Sequence, residues 1–148
     1  MKVYQHTQVG YFLIVTYSLV ILFLGVLNIL SDFHPIPLFG LVIMVIVLGF
    51  FATLTVKVTD RWIEIQFGWG VLRKGFPLKD VEAYQVVENP WYYGWGIRYT
   101  PRGWLFRVSG RSAIELQMKS GKVYRIGTDE PNRLAKALNK ALQFALVD

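Results

Sequence analysis

Six aromatic side chains fall within the sixteen residues Asn89–Trp104: Trp91, Tyr92, Tyr93, Trp95, Tyr99 and Trp104, with Arg98 and Arg102 interleaved. Trp and Tyr favour the membrane–water boundary, where the ring is shielded while its N–H or O–H stays wet. A neighbouring guanidinium offers forked donors to a lipid phosphate or a carboxylate. The same residue types dominate the hot spots of protein interfaces. Trp91, Tyr92, Tyr93, Trp95, Arg98 and Arg102 are therefore the candidate lipid- or partner-binding residues. The competing use of such rings is core packing, and Trp104, in phase with Phe106 and Val108, fits that use best. Gly94-Trp95-Gly96 supplies backbone freedom for a turn, but lacks the later glycine and the strand-to-helix setting of a dinucleotide loop.

Catalytic readings fail on inventory. With no cysteine in the chain, disulfides, thiolate metal sites and thiol catalysis are excluded. The only histidines are His6 and His34. No Gly-x-Ser-x-Gly or comparable nucleophile setting is present, and no His, Asp and Glu cluster has metal-ligand spacing. Glu64 and Glu115 occupy the polar phase of alternating runs, where a solvated sheet face explains them; a carboxylate pair formed only in three dimensions stays open. No catalytic residue, metal or cofactor is assigned. Aromatics with basic residues on a sheet can stack bases, but no nucleic-acid-binding motif accompanies these, so no nucleic-acid partner is expected.

Two apolar runs free of Asp, Glu, Lys, Arg and His precede this region, Tyr11–Leu30 and Leu38–Val56. At about 1.5 Å rise per residue, some 20 residues match the roughly 30 Å hydrocarbon core of a bilayer. The sequence predicts a two-span hairpin over residues 1–56, its spans at about 11–30 and 38–56, followed by a polar domain over 57–148. A cleaved signal peptide competes for the first run, but that run is long for a signal core, and Asn28–Asp32 lacks a small-x-small cleavage pattern. Fifteen of the sixteen Lys and Arg follow residue 56, against nine Asp and Glu there, whereas the connector 31–37 has neither Lys nor Arg. Positive charge is retained on the cytoplasmic side, which predicts both termini inside and the connector outside. Without an ionisable group at membrane depth, anchoring is a better reading than transport.

After Val56 the hydrophobic period becomes two. Ile63, Ile65 and Phe67, then Trp104, Phe106 and Val108, then Ile114, Leu116 and Met118 alternate with polar positions. Turn residues at Thr59-Asp60, Gly68-Trp69-Gly70, Pro101–Gly103, Gly110 and Ser120-Gly121 divide about seven strands in a meander, at 54–59, 62–67, 71–76, 82–88, 97–100 with 104–109, 113–119 and 122–127. Since the first of these overlaps the second apolar run, the helix is expected to run almost directly into the strand. The chain then closes with a helix, capped by Thr128 or Asp129 and with Pro131 near its start. Leu134, Leu138, Ala141, Leu142 and Ala145 form its apolar stripe, which is expected to plug the end of the β-domain.

These residues carry a resemblance. Val56–Asp60, Phe76–Val81, Asn89–Arg98 and Tyr124–Pro131, placed after a two-span hairpin, resemble the small bacterial membrane proteins that bear a pleckstrin-homology-like domain. The likeness covers nearly the whole chain. It implies a seven-stranded bent sandwich or barrel capped by a C-terminal helix, and a place in the bacterial inner membrane. It implies fold rather than activity, and no phosphoinositide motif is present to carry over. The resulting expectation is a membrane-anchored interaction or scaffold module, an accessory subunit binding another membrane protein, or itself, at the cytoplasmic face. The alternative is a domain for anionic lipid headgroups or a small ligand, with an enzyme third.

Overall fold

A computed structural model describes residues 2–147. The sequence predicts no strand before Tyr11, yet β1 (Lys2–Val9) runs the full length from residue 2 to the first helix. The residues of β1 alternate too poorly to announce a strand, and their partner, Thr53–Thr59, starts only at the far end of the second apolar run. Helix α1 (Tyr11–Leu30) has the predicted bounds. A tight turn, with Asp32 and Phe33 at φ 50° and 59°, leads into α2 (Pro35–Phe51). Proline suits the first helical position because its missing N–H would be unpaired there anyway, and His34 Nδ1 accepts from Ile36 N at 3.3 Å.

Helix α2 therefore starts earlier than the apolar run and stops five residues short of Val56. The β-branched alternation from Thr53 onward wins over hydrophobicity and continues as β2 (Thr53–Thr59). Of the two helices, α1 is long and apolar enough to cross a membrane, while α2 is a shorter apolar helix. Most of their large apolar side chains face outward; only Leu13 and Asn28 are buried on α1.

Strand β2 pairs backwards with β1, Val9 opposite Thr53 and Gln5 opposite Lys57, so the helical hairpin is an insertion within a β-hairpin. Strands β3 (Trp62–Phe67) and β4 (Leu72–Pro77) complete an antiparallel sheet of order β1-β2-β3-β4. The second sheet comprises β5 (Val81–Glu88), β6 (Gly96–Thr100), β7 (Gly103–Arg107), β8 (Ser112–Met118) and β9 (Val123–Gly127). Its order is β5-β8-β9-β7-β6, with β7 parallel to β9. The seven-strand meander expected from the sequence is thus corrected to nine described strands. Lys2–Val9 adds one. The stretch 97–109 folds into a separate hairpin because Gly103, at φ 107°, reverses the chain after Thr100.

The core lies between the sheets. Leu54, Val56, Val58, Ile63, Ile65 and Phe67 face Phe106, Ile114, Leu116, Tyr124 and Ile126, with the rings of Phe76 and Tyr124 4.7 Å apart. Each such side chain stabilises by roughly 1.5–3 kcal/mol on leaving water. Helix α3 (Pro131–Val147) closes one side, burying Leu134, Leu138 and Ala141 as its apolar stripe predicts. Thr128 Oγ1 accepts from Glu130 N at 3.0 Å just before Pro131.

Candidate membrane-facing site

Strands β5 and β6 lie at opposite edges of their sheet, so the segment joining them must pass across β8, β9 and β7. Residues 89–95 make that crossing, and Asn89 anchors its start. Asn89 N donates to Arg111 O at 2.7 Å, its Oδ1 accepts from Arg125 Nη1 at 2.9 Å, and its carbonyl accepts from Arg111 Nε at 3.3 Å. A short 3-10 turn over Trp91–Tyr93 follows Pro90. Gly94 and Gly96, at φ 78° and 87°, then aim the chain into β6, a backbone region that costs other residues strain.

The crossing explains why alternation misjudges the outer face of this sheet. Leu105, Arg107 and Glu115, in phase to face solvent, are all buried. Glu115 is no solvated carboxylate: Arg125 Nε lies 3.3 Å from its Oε1 and Gln85 Nε2 donates to its Oε2 at 2.5 Å. Trp104 is corrected the other way. It is 43 % exposed and packs edge-on against Tyr99, 5.2 Å away, on the surface of the β6–β7 hairpin rather than in the core.

Trp95 is the keystone of the crossing loop. Its indole stacks on Phe12 of the first turn of α1, centroids 4.5 Å apart and planes at 20°. The Arg107 guanidinium sits 4.7 Å from the same ring's centroid. Arg98 Nε donates to Trp95 O at 3.0 Å. Trp91 and Tyr92 stand outside this stack, 73 % and 67 % exposed, touching each other edge-on at 6.0 Å. Tyr93 is half-buried.

A second loop reaches the same end of the domain. Gly68–Val71 turns against the last residues of α2, where the Trp69 ring lies 5.6 Å from Phe50 and over Gly49. Trp69 and Val71 are otherwise exposed, and Arg73 Nε donates to Gly70 O at 2.6 Å. The aromatic residues and arginines 73, 98 and 111 thus form a rim around the bases of both helices.

Of the six residues singled out by sequence, Trp91, Tyr92, Tyr93, Trp95 and Arg98 share this rim. Arg102 does not. It sits in the turn at the far end of β6, past Tyr99, Thr100 and Pro101, where its N–H donates to Thr100 Oγ1 at 3.2 Å. There it lines a cleft of about 600 Å³ with Gln85, Tyr99, Trp104, Glu115 and Lys122. Sequence reasoning missed Phe12, Trp69, Arg107 and Arg111. Trp69 between two glycines was legible as a turn, but nothing local links it to α2.

The electrostatics are uneven. Burial, and then the neighbouring Arg111, hold the Arg107 pKa below its ordinary value. Among the described residues no carboxylate lies within 4 Å of Arg107 or Arg111, Glu115 being engaged by Arg125. No three His, Asp or Glu side chains among the described residues converge so as to hold a metal ion. Searches of family models, curated proteins and solved structures found no match to this chain.

Proposed function

We propose that the chain is a membrane-anchored interaction module, with α1 and α2 as a two-span hairpin and the β-domain held at the cytoplasmic face of a bacterial inner membrane. The observation that carries this reading is the Phe12–Trp95–Arg107 stack, which joins the start of an apolar helix to the aromatic loop and to the sheet behind it. Because β1 and β2 pair, the start of α1 and the end of α2 lie on one side, as a hairpin with both termini inside and the 31–37 connector outside requires. The Lys and Arg excess after residue 56 favours that side being the cytoplasm. Setting aside the β6–β7 hairpin, four antiparallel strands face three, β5, β8 and β9, beside a C-terminal helix. This supports the pleckstrin-homology-like reading, with the hairpin as an insertion.

In this role Trp69, Trp91 and Tyr92 sit at headgroup level, where Trp and Tyr are at their most favourable, and the exposed rim meets a neighbouring membrane protein to which the chain is an accessory subunit. The lipid reading is second, favoured by the arginines at the same level as the start of α1. A photo-crosslinking residue at position 92 of the full chain, activated in intact cells, tests both. A discrete protein adduct supports the accessory role, and a lipid adduct supports the second reading. Labelling by neither, with position 92 open to a water-soluble reagent, overturns the membrane placement of the rim.

A further inference from the structure

Two buried donors beneath the crossing loop face no acceptor among the described residues: Arg107 Nε and Asn89 Nδ2. Arg107 is 2 % exposed and Asn89 fully buried. The one hydrogen bond that Arg107 makes there is long, Nη1 to Gly94 O at 3.4 Å. A buried guanidinium without a counter-charge is costly. The face of Trp95 offsets part of that cost, but Arg111 beside it adds like-charge repulsion. Asn89 starts that loop, bonds the backbone of Arg111 and accepts from Arg125, whose charge Glu115 answers, so the guanidiniums left unanswered at this end of the loop are those of Arg107 and Arg111. Two unpaired donors, beside two guanidiniums with no carboxylate within 4 Å among the described residues, are complementary to an anion with several acceptor oxygens.

We propose that Arg107, Arg111 and Asn89 Nδ2 form a phosphate site beneath residues 89–95, taking the phosphodiester of an anionic phospholipid headgroup or a free phosphate. The site deepens the lipid reading above and rests on the rim lying at the bilayer surface. Trp95 contacts both Arg107 and Phe12, which ties the guanidinium to the start of α1. Arg111 is exposed and offers the entry. Arg107 is buried, so the crossing loop must give way at the long Gly94 bond before a phosphate can bridge Arg107 and Arg111 through forked, charge-assisted bonds.

The test uses the full chain in micelles, with native mass spectrometry of retained lipid. Phosphatidylglycerol is compared with phosphatidylcholine, and Arg111→Gln with wild type and with Lys136→Gln, an exposed charge loss on α3. Wild type and Lys136→Gln should retain phosphatidylglycerol about tenfold more strongly than Arg111→Gln, one charge-assisted contact being worth about that factor. In a parallel arm, inorganic phosphate should raise the melting temperature of wild type but not of Arg111→Gln if the source is a free phosphate. Loss of either response in Arg111→Gln alone supports the site and identifies its source. Equal retention by all three proteins with no phosphate-dependent melt, or equal losses in both variants, overturns it. A crosslinker at position 111 that captures an acidic protein, with lipid retention unaffected by Arg111→Gln, overturns it as well. These titrations in micelles are independent of the labelling at position 92, so failure of the site and failure of the membrane placement read separately.

Discussion

The Tyr4 hydroxyl donates to Glu130 Oε2 at 2.9 Å, across 126 positions of sequence. Two residues along β1, His6 Nε2 lies 2.8 Å from Asp129 Oδ1. The first strand is thereby latched to the start of the last helix, and everything between, the apolar helical hairpin included, is enclosed by that latch. The β-domain is built from both sides of the hairpin, and its two halves hold the helix bases together.

The latch makes stability depend on acid. The hydrogen bond from Tyr4, then the charges of His6 and Arg133, keep the Glu130 carboxyl below its ordinary range despite partial desolvation. A carboxylate whose folded value is depressed contributes stability above its unfolded value, about 4.3, and loses it as pH falls through the folded value. The melting temperature of the full chain in detergent should therefore drop between pH 5 and pH 3, by less in Glu130→Gln. Tyr4 works at the other end. Burial, and then Glu130, raise its pKa well above the usual tyrosine value, so this group costs nothing below about 10 and destabilises as pH climbs past it. A Glu130→Gln melt with the same acid dependence as wild type would remove the latch from the account.

Gln8 carries a second tie between β1 and the far sheet. It is buried, donating to Gly127 O at 2.6 Å and accepting from Ser109 Oγ at 2.8 Å. Gln8→Leu keeps the bulk but leaves both partners unpaired, which costs about 1–3 kcal/mol. Chemical denaturation of the full chain should show that loss; a neutral substitution would mean water reaches both groups.

What the sequence disclosed follows from how local each signal is. The bounds of α1, the alternation of β3 and the stripe Leu134, Leu138, Ala141 on α3 depend on neighbours within one turn or one strand, and the structure holds all of them. Lys2–Val9 was illegible as a strand because its partner is Thr53–Thr59, beyond both helices. Arg107 and Glu115 read as solvated because nothing in the pattern says that residues 89–95 cross over them. The aromatic loop was visible by density of rings alone. Its division into an exposed pair and a stacked Trp95 needed Phe12, which no local pattern connects to it.

That division gives a mutational contrast. Trp91→Ala and Tyr92→Ala remove exposed rings and should each leave stability within about 0.5 kcal/mol of wild type. Trp95→Ala removes the stack on Phe12 and the cover over Arg107, and should cost about 2 kcal/mol or more. Thermal melts of the three variants check the order. Equal losses at 91 and 95 would place Trp91 in the packing as well.

Leu138 tests the closing helix. It is 1 % exposed at the middle of the apolar stripe of α3, so Leu138→Asp sets an unpaired charge among core side chains. The expected loss is on the order of 3 kcal/mol or more, read as a collapse of the cooperative melt. A variant that melts like wild type would mean the helix leaves the sheets without unfolding them.

Gly68 governs the contact between the Trp69 loop and α2. It sits at φ 50°, and a Cβ there would run into the carbonyl oxygens of Gly49 and Phe50. Two costs act together: the left-handed conformation, about 1 kcal/mol for a residue with a Cβ, and a collision with helix backbone that cannot yield. Gly121 separates them, because it has φ 91° but nothing within 4 Å of a Cβ. Gly121→Ala should therefore cost only the conformational part, about 1 kcal/mol. Gly68→Ala should cost clearly more and push Trp69 away from Gly49 and Phe50, which a red shift and stronger quenching of tryptophan emission would report. Equal destabilisation of the two variants, with unchanged emission, would show that the loop does not rest on the end of α2.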